Sequence, residues 1–265
     1  MIGWLIYSAV DVEKNKYYIQ MYKDKFKEHF IEIKLVIVEE LENMEQYVKC
    51  NKVDFAINRS RNHIMGELLE QKGVRVFNSS SVTRIANNKG ITYEFLKDVV
   101  PFLAVKYGNE IIESKIENKG FEYPYVIKSC SGHGGSQVFL VNNSKEEEQA
   151  VKAMNGQEYV VQQCCSDLGR DVRVYIIGNK IIKAVLRTST ESFKSNYSLG
   201  GKVQEYTLNN EEKAMVERIV DKLSLDYAGI DFTFHNGKAV FNEIEDAVGA
   251  RMLYQVSDID IVEMY

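Results

Sequence analysis

The residues best suited to chemistry lie close together near the carboxyl end, in the stretch AGIDFTFHNGKAVFNEIEDAVGAR, residues 228–251. Asn236-Gly237 separates two apolar runs and is a strong β-hairpin signal. Loop length decides which side chains share a face. A two-residue loop pairs Asp231 with Asn242 and mixes Glu243 and Glu245 with Ile230 and Phe232. A three-residue loop, His235-Asn236-Gly237, groups Ile230, Phe232, Phe234, Val240 and Ile244 on one face and Asp231, Glu243 and Glu245 on the other. A one-residue slip would turn the whole apolar set out of the core, so the pattern selects the three-residue loop. Three clustered carboxylates repel one another unless a cation sits among them, and oxygen ligands without His or Cys suit Mg²⁺ or Mn²⁺. A solvated acidic face is the plain alternative.

Cations and glycines that could meet an anion come earlier. In VIKSCSGHGGSQVFLV, residues 126–141, Lys128 ends an apolar strand, and Gly132, Gly134 and Gly135 form a loop whose backbone N–H groups can approach an anion. It is not a P-loop, because no Gly-Lys-Ser/Thr follows and the next element reads as a strand; a simple turn is the rival reading. His133 within it is expected to be exposed rather than catalytic. Lys89 stands between Asn88 and Gly90. Tyr159 to Cys165, YVVQQCC, is an apolar strand whose Gln162 and Gln163 amides could bond a purine edge. Arg173 and Arg187 interrupt apolar strands that fold into a hairpin at Gly178-Asn179, so they either line a site or form an internal ion pair. Phe193 to Asn196 with Gly200-Gly201-Lys202 reads as a lid or a surface excursion.

Alternating segments must position these groups. Trp4–Tyr7, Ile31–Val38, Val53–Ile57 and Val74–Phe77 read as strands; Lys14–Phe30, Leu41–Cys50 and His63–Gln71 read as helices. Crossovers of that length imply a parallel sheet covered on both faces. The layout is Rossmann-like, yet no GxGxxG follows the first strand. Asn58-Arg59-Ser60-Arg61 falls at the carboxyl end of the third strand, where such sheets place ligands, so its arginines either meet an anionic substrate or are ordinary surface charge. A boundary is expected near Asn78-Ser79-Ser80-Ser81. Beyond it the pattern becomes α+β, with strands at Pro101–Val105, Tyr125–Lys128 and Val138–Val141, a helix from Ser144 to Met154 opened by a Ser144/Glu147 capping box, and a helix over 210–223.

With 265 residues, 45% hydrophobic and 27% charged, the composition is that of a globular chain of one large or two smaller domains, and no apolar run approaches a membrane span. The first residues, MIGWLIYSAV, are too short for a signal-peptide core and read as strand one. A net charge of −5 argues against general nucleic-acid binding. Cys50, Cys130, Cys164 and Cys165 show no CxxC spacing, and a bridge between the adjacent pair would be strained, so reduced cytoplasmic thiols are expected.

Taken in order, Lys89, Lys128 before its glycine loop, Gln162-Gln163, GRDVRVYIIG, Arg187, Phe193 to Asn196, Gly200-Gly201, GIDF and NEIE resemble the ATP-grasp superfamily over residues 81–250, and within it RimK-type amino-acid ligases. The resemblance implies a pre-grasp α/β domain over 1–80, one grasp subdomain over 81–157 and a second over 158–265. It implies that Lys89 and Lys128, with Gly132, Gly134 and Gly135, bind ATP phosphates, and that Gln162, Gln163, Cys164 and Cys165 hold adenine. Arg173 joins this nucleotide set. Asp231 and Glu243 become ligands of Mg²⁺ or Mn²⁺, and Arg187 and Asn196 face phosphate or substrate. The implied reaction is carboxylate–amine ligation through an acylphosphate, with a silent ATP-binding protein as the rival. Two positions depart from the family pattern. Glu245 stands where the family has a metal-binding Asn, leaving Glu245 or Asp246 as the ligand. In DAVGAR, Arg251 at a helix start suits an acceptor carboxylate, unless it pairs with Asp246. A symmetric homodimer is the default for such enzymes.

Overall fold

The computed structural model describes residues 1–108, 121–135, 137–189 and 201–265. The chain begins with β1 (Ile2–Tyr7), the short helix α1 (Ala9–Val12), α2 (Lys16–Glu28), β2 (Glu32–Ile37), α3 (Met44–Cys50), β3 (Phe55–Asn58), α4 (His63–Gln71) and β4 (Arg75–Phe77). The strands pair in parallel in the order β2-β1-β3-β4. Alternation along β1 explains why both faces are covered. Trp4 and Ile6 pack with Val48, Met65 and Leu69 of α3 and α4, whereas Leu5 and Tyr7 pack with Ile19 and Tyr22 of α2. Asn43 and Asn62 start α3 and α4 by accepting from backbone N–H groups two residues into each helix.

Two helices follow, α5 (Ser80–Ala86) and α6 (Lys89–Leu96), capped by Ser79 and Asn88. Then come β5 (Val105–Tyr107), β6 (Tyr125–Ser129), β7 (Val138–Val141), α7 (Ser144–Met154) and β8 (Tyr159–Gln163), the strands forming an antiparallel sheet in the order β5-β8-β6-β7. Two expectations are corrected here. The strand expected at Pro101–Val105 begins only at Val105, because Pro101 and Phe102 run beside Phe241 instead, the Phe241 amide donating to the Pro101 carbonyl. The cap of α7 is Asn143, whose side chain accepts from the Glu146 N–H, in place of a Ser144/Glu147 box. Strand β8 is the inner neighbour of β6 in this sheet, so the chain crosses to the third sheet after Gln163.

The third sheet holds β9 (Arg170–Ile177), β10 (Lys180–Thr188), β11 (Lys202–Tyr206), then α8 (Asn210–Lys222), β12 (Tyr227–His235) and β13 (Lys238–Glu245), in the antiparallel order β11-β10-β9-β12-β13. The Gly178-Asn179 turn forms as expected, both residues at positive φ. Helix α8 carries a full capping box between Asn209 and Glu212. Its buried Met215, Val216 and Ile219 join Val174, Ile230, Phe232 and Phe241 in the largest core cluster. Two short helices end the chain, α9 (Arg251–Val256) and α10 (Ile261–Met264). Met252, Leu253, Ile261 and Val262 pack among Tyr7, Tyr22, Tyr175 and Tyr227, which binds the last residues to the first sheet and the third.

The hairpin of β12 and β13 corrects a further expectation. His235 pairs with Lys238, so the turn has two residues, Asn236 and Gly237, both at positive φ. A bulge at Asn242 then shifts the pairing by one residue, so that Asp231 lies opposite Glu243 and shares a face with Glu243 and Glu245, the facing expected of a three-residue loop although in a different register. The core face accordingly carries Ala239, Phe241 and Ile244, while Val240, expected there, is only half-buried.

Candidate active site

A cleft opens between the second and third sheets beside the start of α6. Lys89, Lys128, Gly132, His133, Gly134, Gly135, Gln162, Gln163, Cys165, Asp171, Asn242, Glu243 and Glu245 line it, with Ala86, Leu103, Val126, Leu168 and Ile244 as apolar wall. Strand alternation places several of these. Along β6, Tyr125 and Ile127 pack with the α7 side chains Ala150 and Met154, so Val126 and Lys128 turn to the cleft. Gln162 lies directly across from Val126 on β8.

Two lysines face two glutamates. Lys89 Nζ donates to the Gly132 carbonyl at 2.7 Å and stands 3.5 Å from Glu243. Lys128 Nζ donates to Asn242 Oδ1 at 2.8 Å. Burial draws the Lys128 ammonium down to about 8, against the opposing pull of Glu243. Burial by itself would raise Glu243, but Lys89 and Lys128 hold its carboxyl below the usual carboxylate range. The bulge therefore serves the site, since it turns Asn242 to Lys128 while Glu243 faces Lys89. Asn242 was missed in the sequence because a bulge has no signal in an apolar alternation.

The expected adenine end is mixed. Gln162 is buried and donates to the Tyr93 hydroxyl at 3.1 Å, Tyr93 in turn donating to the Asn242 carbonyl at 2.8 Å. Gln163 and Cys165 line both the cleft and a neighbouring recess with Phe121 and Pro124, whereas Cys164 borders that recess alone. His133, expected to be exposed, is half-buried on the cleft wall; burial and the nearby Arg61 and Lys89 cations lower its imidazole to about 4, leaving it neutral at pH 7.

Three expected site residues are sealed beneath the cleft. Asp231 is fully buried, accepting two bonds from Arg173 at 2.7 Å each and one from Arg187 at 2.7 Å. Burial opposes its ionisation, yet the two guanidiniums hold it down to about 2. Arg187 also makes a short paired contact with Asp171, which reaches the cleft. Of the two readings of these arginines, the internal ion-pair network is the one present, with Asp231 at its centre. Glu245 remains on the cleft wall, 3.8 Å from Arg61 and 3.7 Å from Arg173, whereas Asp246 turns away and accepts from Asn78 and Asn87.

Among the described residues no three acidic, His or Cys side chains converge as a metal cage. Mg²⁺ is commonly held by one or two carboxylates with phosphate oxygens completing its shell, and Glu243 with Glu245 supplies that hard pair. The donor set thus fits a divalent cation arriving with a polyphosphate.

The amino-terminal arginines part company. Arg59 is buried among Tyr7, Tyr18 and Tyr227, donating to Tyr7 Oη at 2.8 Å and to the Ala247 and Val248 carbonyls at 3.2 and 2.7 Å, which is a structural role and not substrate contact. Arg61 pairs with Asp11 at 2.6 Å and approaches Glu245, so it borders the acidic wall. Both Asp11 and Arg61 follow the carboxyl ends of β1 and β3, the point where the strand order diverges and open α/β sheets form a crevice. Arg251 is exposed at the first residue of α9 and, among the described residues, makes no ion pair with Asp246. Asn196, with Phe193 to Ser195 and Gly200, lies outside the described residues.

Residues 81–264 match the RimK-like ATP-grasp domain family. The chain is 32% identical over 258 residues to the uncharacterized protein MG011 of Mycoplasma genitalium, covering 96% of this chain and 87% of that one. It is 27% identical over 233 residues to a probable alpha-L-glutamate ligase of Vibrio vulnificus, covering 86% and 68%. Its fold is similar to the crystal structure of a RimK-domain ATP-grasp protein from Sphaerobacter thermophilus, with a TM-score of 0.78 at 20% identity over 100% of this chain and 97% of that one.

Proposed function

The chain belongs to the RimK-like ATP-grasp family, and from that premise we propose that it is an ATP- and Mg²⁺-dependent carboxylate–amine ligase acting on an amino acid, a peptide or a similar small acid. The observation that carries this reading is the facing of Lys89 and Lys128 against Glu243 and Glu245 across one cleft, under the Gly132 to Gly135 loop. Lys89 and Lys128 bind the ATP phosphates, aided by backbone N–H groups of the loop. Gln162, Gln163 and the main chain at Cys164 and Cys165 hold adenine against the apolar wall. Glu243 and Glu245 hold the metal, which when bound neutralises phosphate charge.

In such a reaction a donor carboxylate takes the γ-phosphoryl group to give an acylphosphate, and an amine then displaces phosphate to leave an amide. Positioning and charge neutralisation are what this chemistry asks of a protein, and no side-chain nucleophile is needed. Arg173 and Arg187 act through Asp231 and Asp171, fixing the strands that carry the site and leaving a positive field beneath it. On the substrate side we assign Arg61, Arg251 and Asn196 to the anionic groups of the substrates. Residues 1–80 form the pre-grasp unit, and the two halves of the grasp meet between Gln163 and Arg170. The reaction is assigned to the cytoplasm, a compartment that suits four cysteines without a structural disulfide, and to a symmetric dimer.

The test is ATP binding by calorimetry with and without Mg²⁺, on the parent and on Lys128→Ala and Glu243→Gln, followed by phosphate release over a panel of carboxylates and amines. Micromolar, metal-linked binding weakened at least tenfold by both changes, with release that needs both substrates, is the expected result. Absence of ATP binding, or variants that bind like the parent, removes the reading. The sealing of Asp231 by two arginines favours one rival, a nucleotide-binding protein without ligation; that rival expects tight ATP binding and no turnover with any pair.

A further inference from the structure

The segment joining β8 to β9 carries two adjacent thiols that share one outer recess, and of the two only Cys165 also lines the nucleotide cleft. Cys165 lies in the cleft beside Lys128, Gln163, Leu168 and Thr233 and opens to the recess as well, whereas Cys164 borders the recess alone. We propose that Cys165 is a thiol-modification site that closes the nucleotide cleft: it exchanges with a low-molecular-weight disulfide, and the resulting mixed disulfide occupies space that ATP needs. The proposal rests on the nucleotide reading for its consequence, though not for the reactivity of the thiol.

Access and anion stabilisation coincide only at Cys165 among the four cysteines. It is half-buried and opens to the cleft, whereas Cys130 is buried and burial pushes its thiol up. Cys50 is exposed but lies on α3, on the first sheet and away from the cleft. A hydrogen bond from the Cys164 thiol, opposed by burial and aided by the Thr233 hydroxyl and the Lys128 ammonium, brings Cys165 down to about 6. The same coupling pushes the Cys164 thiol up, and position selects between the pair, since of the two only Cys165 lines the cleft.

The exchange balances without another reagent. The Cys165 thiolate attacks one sulfur of the small disulfide, a protein–S–S–R bond forms as the original S–S bond breaks, and the second half leaves as a thiolate that takes a proton from water. Cys165 is oxidised and the small disulfide is reduced. Cys164 is poorly placed to expel the adduct, because adjacent Cα atoms stand about 3.8 Å apart, below the roughly 4.4–6.8 Å of an unstrained bridge. The mixed disulfide therefore persists until an excess of small thiol reverses it.

The experiment treats the whole chain with oxidised glutathione at pH 7, maps the modified cysteine by mass spectrometry over time, and measures ATP binding by calorimetry before and after. Cys165 should react at least tenfold faster than Cys50 or Cys164, saturating Mg²⁺–ATP should slow it at least tenfold, and the adduct should weaken ATP binding at least tenfold until dithiothreitol restores it. In Cys165→Ser, oxidised glutathione should no longer change ATP binding; in Cys164→Ser, which keeps a donor, the adduct should still form at Cys165. Faster reaction at Cys50 or Cys164, or undiminished ATP binding by the adduct, overturns the proposal. If the untreated parent binds no ATP, the nucleotide reading falls and the gate with it, whatever the order of thiol reactivity.

Discussion

Burial draws the Lys128 ammonium down to about 8, yet a phosphate-binding lysine must be charged. A bound polyphosphate favours the cation, so ATP affinity should fall as pH rises through about 8, and binding above that pH should take up a proton. Calorimetry in buffers of different ionisation enthalpy reads that proton directly, and Lys128→Arg, charged throughout, should flatten the profile. The sign for folding is the opposite of an ordinary pairing lysine. Between about 8 and the ordinary 10.5 the unfolded chain binds more protons at this site, so its contribution to stability rises with pH across that window. Asp231 behaves as a paired carboxylate: its contribution is present above the ordinary 3.8 and is lost as pH falls toward about 2. Asp231→Asn leaves two buried guanidiniums short of counter-charge and should cost about 3–5 kcal/mol in urea unfolding.

At the scale of elements, the β12–β13 hairpin sets the acidic wall, and its register depends on a turn and a bulge acting together. Gly237 has φ +73° with no atom near enough to obstruct a Cβ, so the cost of Gly237→Ala is one of backbone conformation alone. A loss of about 1–2 kcal/mol in thermal or urea unfolding is expected, with Asn236→Gly much milder because Asn236 already lies at φ 53°. The turn residues were readable from Asn-Gly, as was the face that Asp231 shares with Glu243 and Glu245. The path between them was not. Apolar alternation reports which residues share a face but cannot distinguish a longer loop from a tight turn followed by a bulge.

Across the whole molecule, Arg59 ties the first sheet to the loop after β13. Its bonds to Tyr7 and to the Ala247 and Val248 carbonyls are buried, and burial in an aromatic cage replaces the solvent a guanidinium would otherwise keep. Arg59→Met should lower stability by about 3 kcal/mol or more, read as a fall in Tm, while the folded fraction keeps its ATP affinity within about twofold. The described helices include none long and apolar enough to cross a membrane.

Alternation and spacing by themselves determined the parallel first sheet, the Gly178-Asn179 and Asn236-Gly237 turns, and the order of lysines, glycine loop, amides and acids that marks the family. These depend on local periodicity and chain order, which a sequence carries explicitly. Only the tertiary structure decided how the charges are shared. Arg173 and Arg187 converge on Asp231 because β9, β10 and β12 lie side by side in one sheet, and Glu245 gains Arg61 because the amino-terminal crevice meets the end of β13. The burial of Arg59 and the reach of Cys165, but not Cys164, into the cleft were likewise hidden. Each depends on groups far apart in the chain, and desolvation is a property of what surrounds a residue rather than of its type.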